Sequence, residues 1–273
     1  SLTAASFAKT LTSLNLSGMT QLPAECRALL SLPALTSLTT PKLSSPESDS
    51  EDEEEILART QAATSTSLTT LDIQGNAVVE LLESVRLPAL TTLRVKGTLD
   101  NEDLAIIASF TSLTCLSNPS SLEEDALRTL STLLHLTKMP KVQLLQLQPL
   151  AVFPKLQSLS LHIFEDGLQQ AISWPQLLRP LHQLANLTEL ELITEHAPAA
   201  GIFSGLPPAL KSLTLDLQEL PFDERNLPLS LLGELASRPS LKTLKTNADN
   251  FKVIQNCTEK MRLALDVSVV RTR

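Results

Sequence analysis

Apolar and polar positions along this chain repeat one short phrase. Its fullest copy is Leu68-Thr69-Thr70-Leu71-Asp72-Ile73-Gln74-Gly75-Asn76, which reads L-x-x-L-x-L-x-x-N. Leu71 and Ile73 alternate with Thr70 and Asp72, which predicts a short strand with one buried face. Shorter copies are Leu11-Leu14-Leu16, Leu35-Leu38, Leu90-Leu93-Val95, Leu113-Leu116, Leu156-Leu159-Leu161, Leu187-Leu190-Leu192, Leu210-Leu213-Leu215 and Leu241-Leu244. A degenerate copy at Leu133-Leu134-His135-Leu136, taken to start at Leu133, completes the series. The first leucines then follow one another at steps of 20 to 33 residues. Self-similarity at such a period predicts an array of stacked units, each too small to bury its own apolar face.

The segments between the phrases read as helices. In 77–87, Val78, Leu81, Leu82 and Val85 fall on one helical face. Asn101, Glu102 and Asp103 offer a polar cap and first-turn acids to 104–110. Ser120 and Ser121 stand three residues before Glu123 and Glu124, a capping-box spacing for 126–134. Segments 21–32, 223–237 and 249–260 are less regular, and Pro175 and Pro180 should break or kink 167–184. Pro33, Pro88, Pro154, Pro208 and Pro239 each stand two residues before a first leucine. A residue without an N–H fits the loop that returns the chain to a strand. The alternation in 263–269 predicts a last strand.

Parallel strands joined by helices on one side coil to the right. The repeated P-x-L-x-x-L phrase and the mix of short and long repeats resemble the leucine-rich repeat proteins. The closest likeness is to their intracellular, helix-containing branch, which includes ribonuclease-inhibitor-like proteins and the repeats of F-box proteins. The resemblance runs from Leu11 to about Val270. It implies an α/β right-handed solenoid, a horseshoe with a parallel concave sheet and convex helices, formed as a single domain over residues 1–273. Two departures stand out. The family's Asn after the third apolar residue occurs clearly only at Asn76, and the third apolar position itself is Thr40, Asn118 and Thr246 in three repeats. The asparagine ladder that ties such turns together is therefore expected to be missing.

Composition sharpens the picture in a few places. Aromatic residues make up 3% of the chain, with no Tyr and one Trp, so the core must be aliphatic. Of the net charge of -8, most comes from Glu47, Asp49, Glu51, Asp52, Glu53, Glu54 and Glu55, which leaves the body near neutrality. Direct binding of nucleic acid is therefore not expected. The run 44–55 reads as an acidic, self-repelling insertion in the second repeat. Ser48 and Ser50 each have an acid three residues on, as acidophilic kinases prefer, so the insertion is either a phosphorylatable docking loop or a solvated connection. Cys26, Cys115 and Cys257 are odd in number and form no C-x-x-C pair, which suits reduced thiols in the cytoplasm or nucleus. No apolar run approaches a membrane span, and Ser1 opens no signal-peptide pattern. An upstream module before Ser1 is compatible with this beginning.

Binding is expected on the outward strand positions. These are Ser13, Asn15, Ser37, Thr39, Thr70, Asp72, Thr92, Arg94, Cys115 and Ser117, then Ser158, Ser160, Glu189, Glu191, Ser212, Thr214, Thr243 and Lys245. Most are small hydroxyl residues, equally well read as soluble strand formers. The charged candidates for partner contact are Asp72, Arg94, Lys96, Glu189, Glu191, Asp216 and Lys245. Arg94 and Lys96 read as a basic spot, and Glu189, Glu191 and Asp216 as an acidic one. Trp174 is either a core residue or an anchor. No catalytic, cofactor or metal residue is assigned. His135, His162, His182 and His196 lack metal-ligand spacing, 201–205 is G-x-x-S-G rather than a nucleophile elbow, and no P-loop occurs. The three N-x-S/T matches at Asn15, Asn186 and Asn256 read as chance, because a glycan would interfere with stacking at the first two. The expected function is a non-enzymatic scaffold for protein partners. The alternative that the resemblance implies is the substrate-recognition subunit of a ubiquitin ligase, with its adaptor-binding module outside this chain.

Overall fold

The computed structural model describes residues 9–21, 29–43, 63–75, 81–83, 85–118, 120–143, 147–163, 174–194, 201–216, 234, 238–246 and 266–269. The expectations for Asn76, the acidic run with Ser48 and Ser50, Cys26, Cys257, His196 and Asn256 lie outside these residues. So do segment 249–260 and most of 21–32 and 223–237. The protein is α/β, with parallel strands and few helices among the described residues. It divides into two compact units, Ser1–Ser120 with Arg128–Leu136, and Ser121–Leu127 with Thr137–Arg273.

In the first unit the strands are β1 (Ser13–Asn15), β2 (Thr20–Gln21), β3 (Ser37–Leu43), β4 (Ala63–Thr64), β5 (Thr70–Gly75), β6 (Val85–Arg86), β7 (Thr92–Val95) and β8 (Cys115–Ser117). The sheet runs β1-β3-β5-β7-β8, with β2 beside β3, and every pairing is parallel. The register aligns Leu38, Leu71, Leu93 and Leu116, each at most 1% exposed. Burying each of these side chains is worth roughly 1.5–3 kcal/mol. Intervening residues face outward, which is the period-two consequence of L-x-x-L-x-L. β4 pairs with β6 as a separate two-stranded sheet. Val85 is therefore buried on a strand, not on the helix expected for 77–87, while Leu81 and Leu82 are buried as expected.

The second unit contains β9 (Val142–Gln143), β10 (Ser158–Ile163), β11 (Glu189–Thr194), β12 (Ser212–Asp216), β13 (Thr243–Thr246) and β14 (Asp266–Val269). They form one parallel sheet in chain order. Leu159, Leu190, Leu213 and Leu244 align, and Leu161, Leu192 and Leu215 form a second buried row. The alternation read in 263–269 becomes β14 at one edge of the sheet.

The degenerate repeat is in a different register from the one expected. The N–H groups of Gln157 and Ser158 donate to Thr137 O, and Lys138 pairs with Ser158. This sets Leu136, not Leu133, in the place of the first leucine, with buried Met139 in the place of the second. Past Pro140 the pairing with β10 continues one residue out of step, at Val142 opposite Leu161.

The connections also depart from the helical reading. Helix α1 (Asn101–Ile107) is capped by Asp100, one residue earlier than expected. Asp100 accepts from the N–H groups of Glu102 and Asp103, and Asp103 accepts from the N–H of Asp100. Helix α2 (Glu124–Thr129) tightens into a 3-10 turn over Leu130–Thr132. Helix α3 (Trp174–Leu178) gives way to another over Arg179–Gln183, where Pro180 sits in the first turn. A further 3-10 segment spans Gln148–Val152. Backbone bonds of i to i−3 type continue these turns toward the strands, as in Leu150 to Leu147, Phe153 to Leu150 and Leu156 to Phe153, or Leu184 to Leu181 and Leu187 to Leu184. The apolar residues here recur every third position, which matches three residues per turn and places them all on one side. All five prolines that precede first leucines lie in turns at the loop-to-strand return.

Hydroxyl and amide side chains tie the turns together. Thr12 O accepts from the N–H groups of Thr36 and Ser37 and from Thr36 Oγ1 at 3.0 Å. Thr69 on Thr36, Thr91 on Thr69 and Thr114 on Thr91 repeat the arrangement. Asn118, buried in an apolar position, donates from Nδ2 to Gly97 O at 2.8 Å and Val95 O at 3.3 Å. Its Oδ1 accepts from the N–H of Ser120 at 2.6 Å. Buried Thr40 accepts from the N–H of Gln74. Among the described residues a side-chain ladder carried mainly by threonine thus ties the turns together.

Candidate functional site

The outward rows of the first sheet follow from the register. Ser13, Ser37, Thr70, Thr92 and Cys115 form one row, and Asn15, Thr39, Asp72, Arg94 and Ser117 the next. Each of these residues is exposed or half-buried. Asp72 lies directly opposite Arg94, and its Oδ2 is 3.7 Å from Lys96 Nζ. The carboxylate is only 14% exposed, whereas the ammonium is 57% exposed. At that length and exposure the pair is worth at most about 1 kcal/mol. Asp72 Oδ1 is buried without a hydrogen-bond partner among the described residues. The basic spot read from Arg94 and Lys96 therefore surrounds a carboxylate that offsets one of its two charges. Cys115 is a free, half-buried thiol.

The second sheet presents Ser158, Glu189, Ser212, Thr243 and Asp266 in one outward row, and Ser160, Glu191, Thr214 and Lys245 in another. Glu189 and Glu191 are exposed on β11, and Ser160 Oγ donates to Glu191 Oε2 at 2.6 Å. Asp216 is half-buried opposite Ile193 on the same side of the sheet. Lys245 is exposed two strands from Glu191, about 10 Å away at the backbone. The sequence-assigned residues thus fall into two groups, Asp72 with Arg94 and Lys96, and Glu189 with Glu191, Asp216 and Lys245, one on each sheet.

A turn at 201–205 also brings polar groups together. Gly201 adopts φ +90°, and a Cβ there would lie 2.4 Å from Pro175 Cγ, so only glycine fits. Its N–H donates to Glu234 Oε1 at 2.7 Å, and Ser204 Oγ donates to its carbonyl at 2.8 Å. The Arg238 guanidinium donates to Ser204 O at 2.5 Å, and His182 Nε2 lies 3.0 Å from Gly205 O. Burial pulls Arg238 below its ordinary pKa while Glu234 opposes the shift. Serine, histidine and carboxylate are each engaged with backbone here, which describes a braced turn rather than a nucleophile and its base.

His135 is exposed and His162 is buried on β10. Among the described residues no group of three or more His, Cys, Asp or Glu side chains is placed to hold a metal ion. No helix among them is long and apolar enough to cross a membrane. Asn186 spends its Nδ2 on Pro154 O at 2.9 Å, and Asn15 Oδ1 accepts from the N–H of Ser17. Sequence reasoning missed the threonine ladder. Its signal was the recurrent L-T-x-L of Leu11-Thr12, Leu35-Thr36, Leu68-Thr69, Leu90-Thr91 and Leu113-Thr114. No protein-family model matches this chain, and no curated protein matches its sequence.

Proposed function

We propose that the chain is a leucine-rich repeat solenoid, a single horseshoe domain with a concave parallel sheet and convex connections, acting as a non-enzymatic scaffold for protein partners. The observation that supports this reading is the register. Equivalent positions of successive repeats stack, so outward side chains line up in rows across each sheet while the leucine rows stay buried. Such a face offers a partner many aligned contacts. The charged positions Asp72, Arg94 and Lys96, and Glu189, Glu191, Asp216 and Lys245, are the selective ones. The hydroxyl positions between them set spacing and hydrogen bonding.

The acidic run 44–55 supplies a second element, a docking segment whose charge rises on phosphorylation of Ser48 and Ser50. The proposed setting is the cytoplasm or nucleus, where Cys115 stays a thiol. The experiment is partner capture on immobilised protein, comparing wild type with the double reversal Glu189→Lys with Glu191→Lys and with Arg94→Glu. Melting temperatures confirm that the variants fold. Loss of captured partners from folded variants supports the reading. An unchanged partner set in all of them contradicts it.

A further inference from the structure

We propose that a cleft in the second unit binds an acidic peptide segment through a carboxylate held by Arg179. The cleft has a volume of about 630 Å³ and is lined by Gln148, Gln176, Arg179, Pro180, His182 and Gln183. That volume is within the range of ligand sites. The inference rests on the protein-binding reading above and names a partner chemistry for a surface apart from the outward strand rows.

Three neighbouring elements build the cleft. The 3-10 segment Gln148–Val152 supplies Gln148, helix α3 supplies Gln176, and the 3-10 segment Arg179–Gln183 supplies the rest. The position of α3 is fixed from one side, because Gly201 abuts Pro175 and leaves no room for a Cβ. His182 is held from the same turn by Gly205 O at 3.0 Å. The lining thus sits on braced backbone, which lowers the ordering cost of binding.

The chemistry of the lining selects the occupant. Arg179 is an exposed guanidinium, and among the described residues no carboxylate lines the cleft beside it. Gln148, Gln176 and Gln183 bring amides that both donate and accept, as the backbone of an extended peptide requires. None of these four side chains has a hydrogen-bond or ion-pair partner among the described residues. A guanidinium binds a carboxylate through two parallel N–H donors. The pattern therefore favours an extended segment with at least one Asp or Glu over a basic or an apolar one.

The test is fluorescence polarisation of the intact chain with a labelled octaglutamate peptide and a neutral Gly-Ser peptide of equal length. Octaglutamate should bind and the neutral peptide should not. Arg179→Glu should weaken binding at least tenfold, and Arg179→Lys less than Arg179→Glu. Lys211→Glu, the same charge change at an exposed position outside the cleft, should leave affinity within twofold. Circular dichroism keeps the comparison to folded variants. Absence of octaglutamate binding, or equal weakening by Arg179→Glu and Lys211→Glu, overturns the cleft site. If either result accompanies loss of partner capture by the β11 reversals, the cleft falls and the scaffold reading stands.

Discussion

Asn118 is the position where sequence pattern and structure give opposite predictions. By the repeat phrase, residue 118 should be apolar, so Asn118→Leu looks like a return to consensus. In the structure the side chain serves three backbone groups, Val95 O, Gly97 O and the Ser120 N–H. Each buried backbone group left without a partner costs about 1–3 kcal/mol. Val95 and Gly97 belong to buried residues, whereas Ser120 is half-exposed and regains water. The loss is then about 2–6 kcal/mol, against which leucine burial returns about 2 kcal/mol. The net destabilisation is centred on about 2 kcal/mol. At about 2–4 °C per kcal/mol, the melting temperature should fall by roughly 4–8 °C. Thermal unfolding followed by circular dichroism measures the shift, and amide exchange at Ser120 should accelerate in parallel. A variant as stable as wild type, or more stable, would refute the ladder role of Asn118.

Other expectations are smaller or more local. Thr69→Val removes the 3.1 Å bond from Oγ1 to Thr36 O, but two N–H groups still reach that carbonyl, so chemical denaturation should register less than about 1 kcal/mol. Gly201→Ala forces a side chain into the left-handed region and against Pro175, and should cost at least about 2 kcal/mol in the same assay. Incubation with an acidophilic kinase and ATP should phosphorylate Ser48 and Ser50, detected by mass spectrometry of the tryptic peptide. Absence of modification at both would remove the regulatory part of the proposal.

The strands that carry the repeated phrase were legible in the sequence because one face of each is buried. Leu71 and Ile73 against Thr70 and Asp72 leave no ambiguity about which way a strand faces. The connections were less legible because a period of three is easily read as 3.6 over a few residues. Leu181, Leu184 and Leu187 fit both, and only the i to i−3 bonds and Pro180 decide for the tighter turn. The start at Leu136 was missed because Leu133 also begins an L-x-x-L, and the ladder acceptor Thr137 distinguishes them. Asn118 and Thr40 looked like defects in the apolar pattern, since composition cannot say whether a buried polar group has found partners. For the candidate face, outward positions were readable from alternation. The closeness of Lys96 to Asp72 was not, because it depends on how strands from different repeats align.

Site-specific photocrosslinking tests most directly whether partners bind on the outward strand rows. A photoreactive amino acid at Thr214, within the outward row of β12, should crosslink captured partners, and so should one at Thr92 on β7. The same probe at exposed Glu102 on α1 should give none. Crosslinks confined to Glu102, with Thr92 and Thr214 silent, would contradict binding through the sheets.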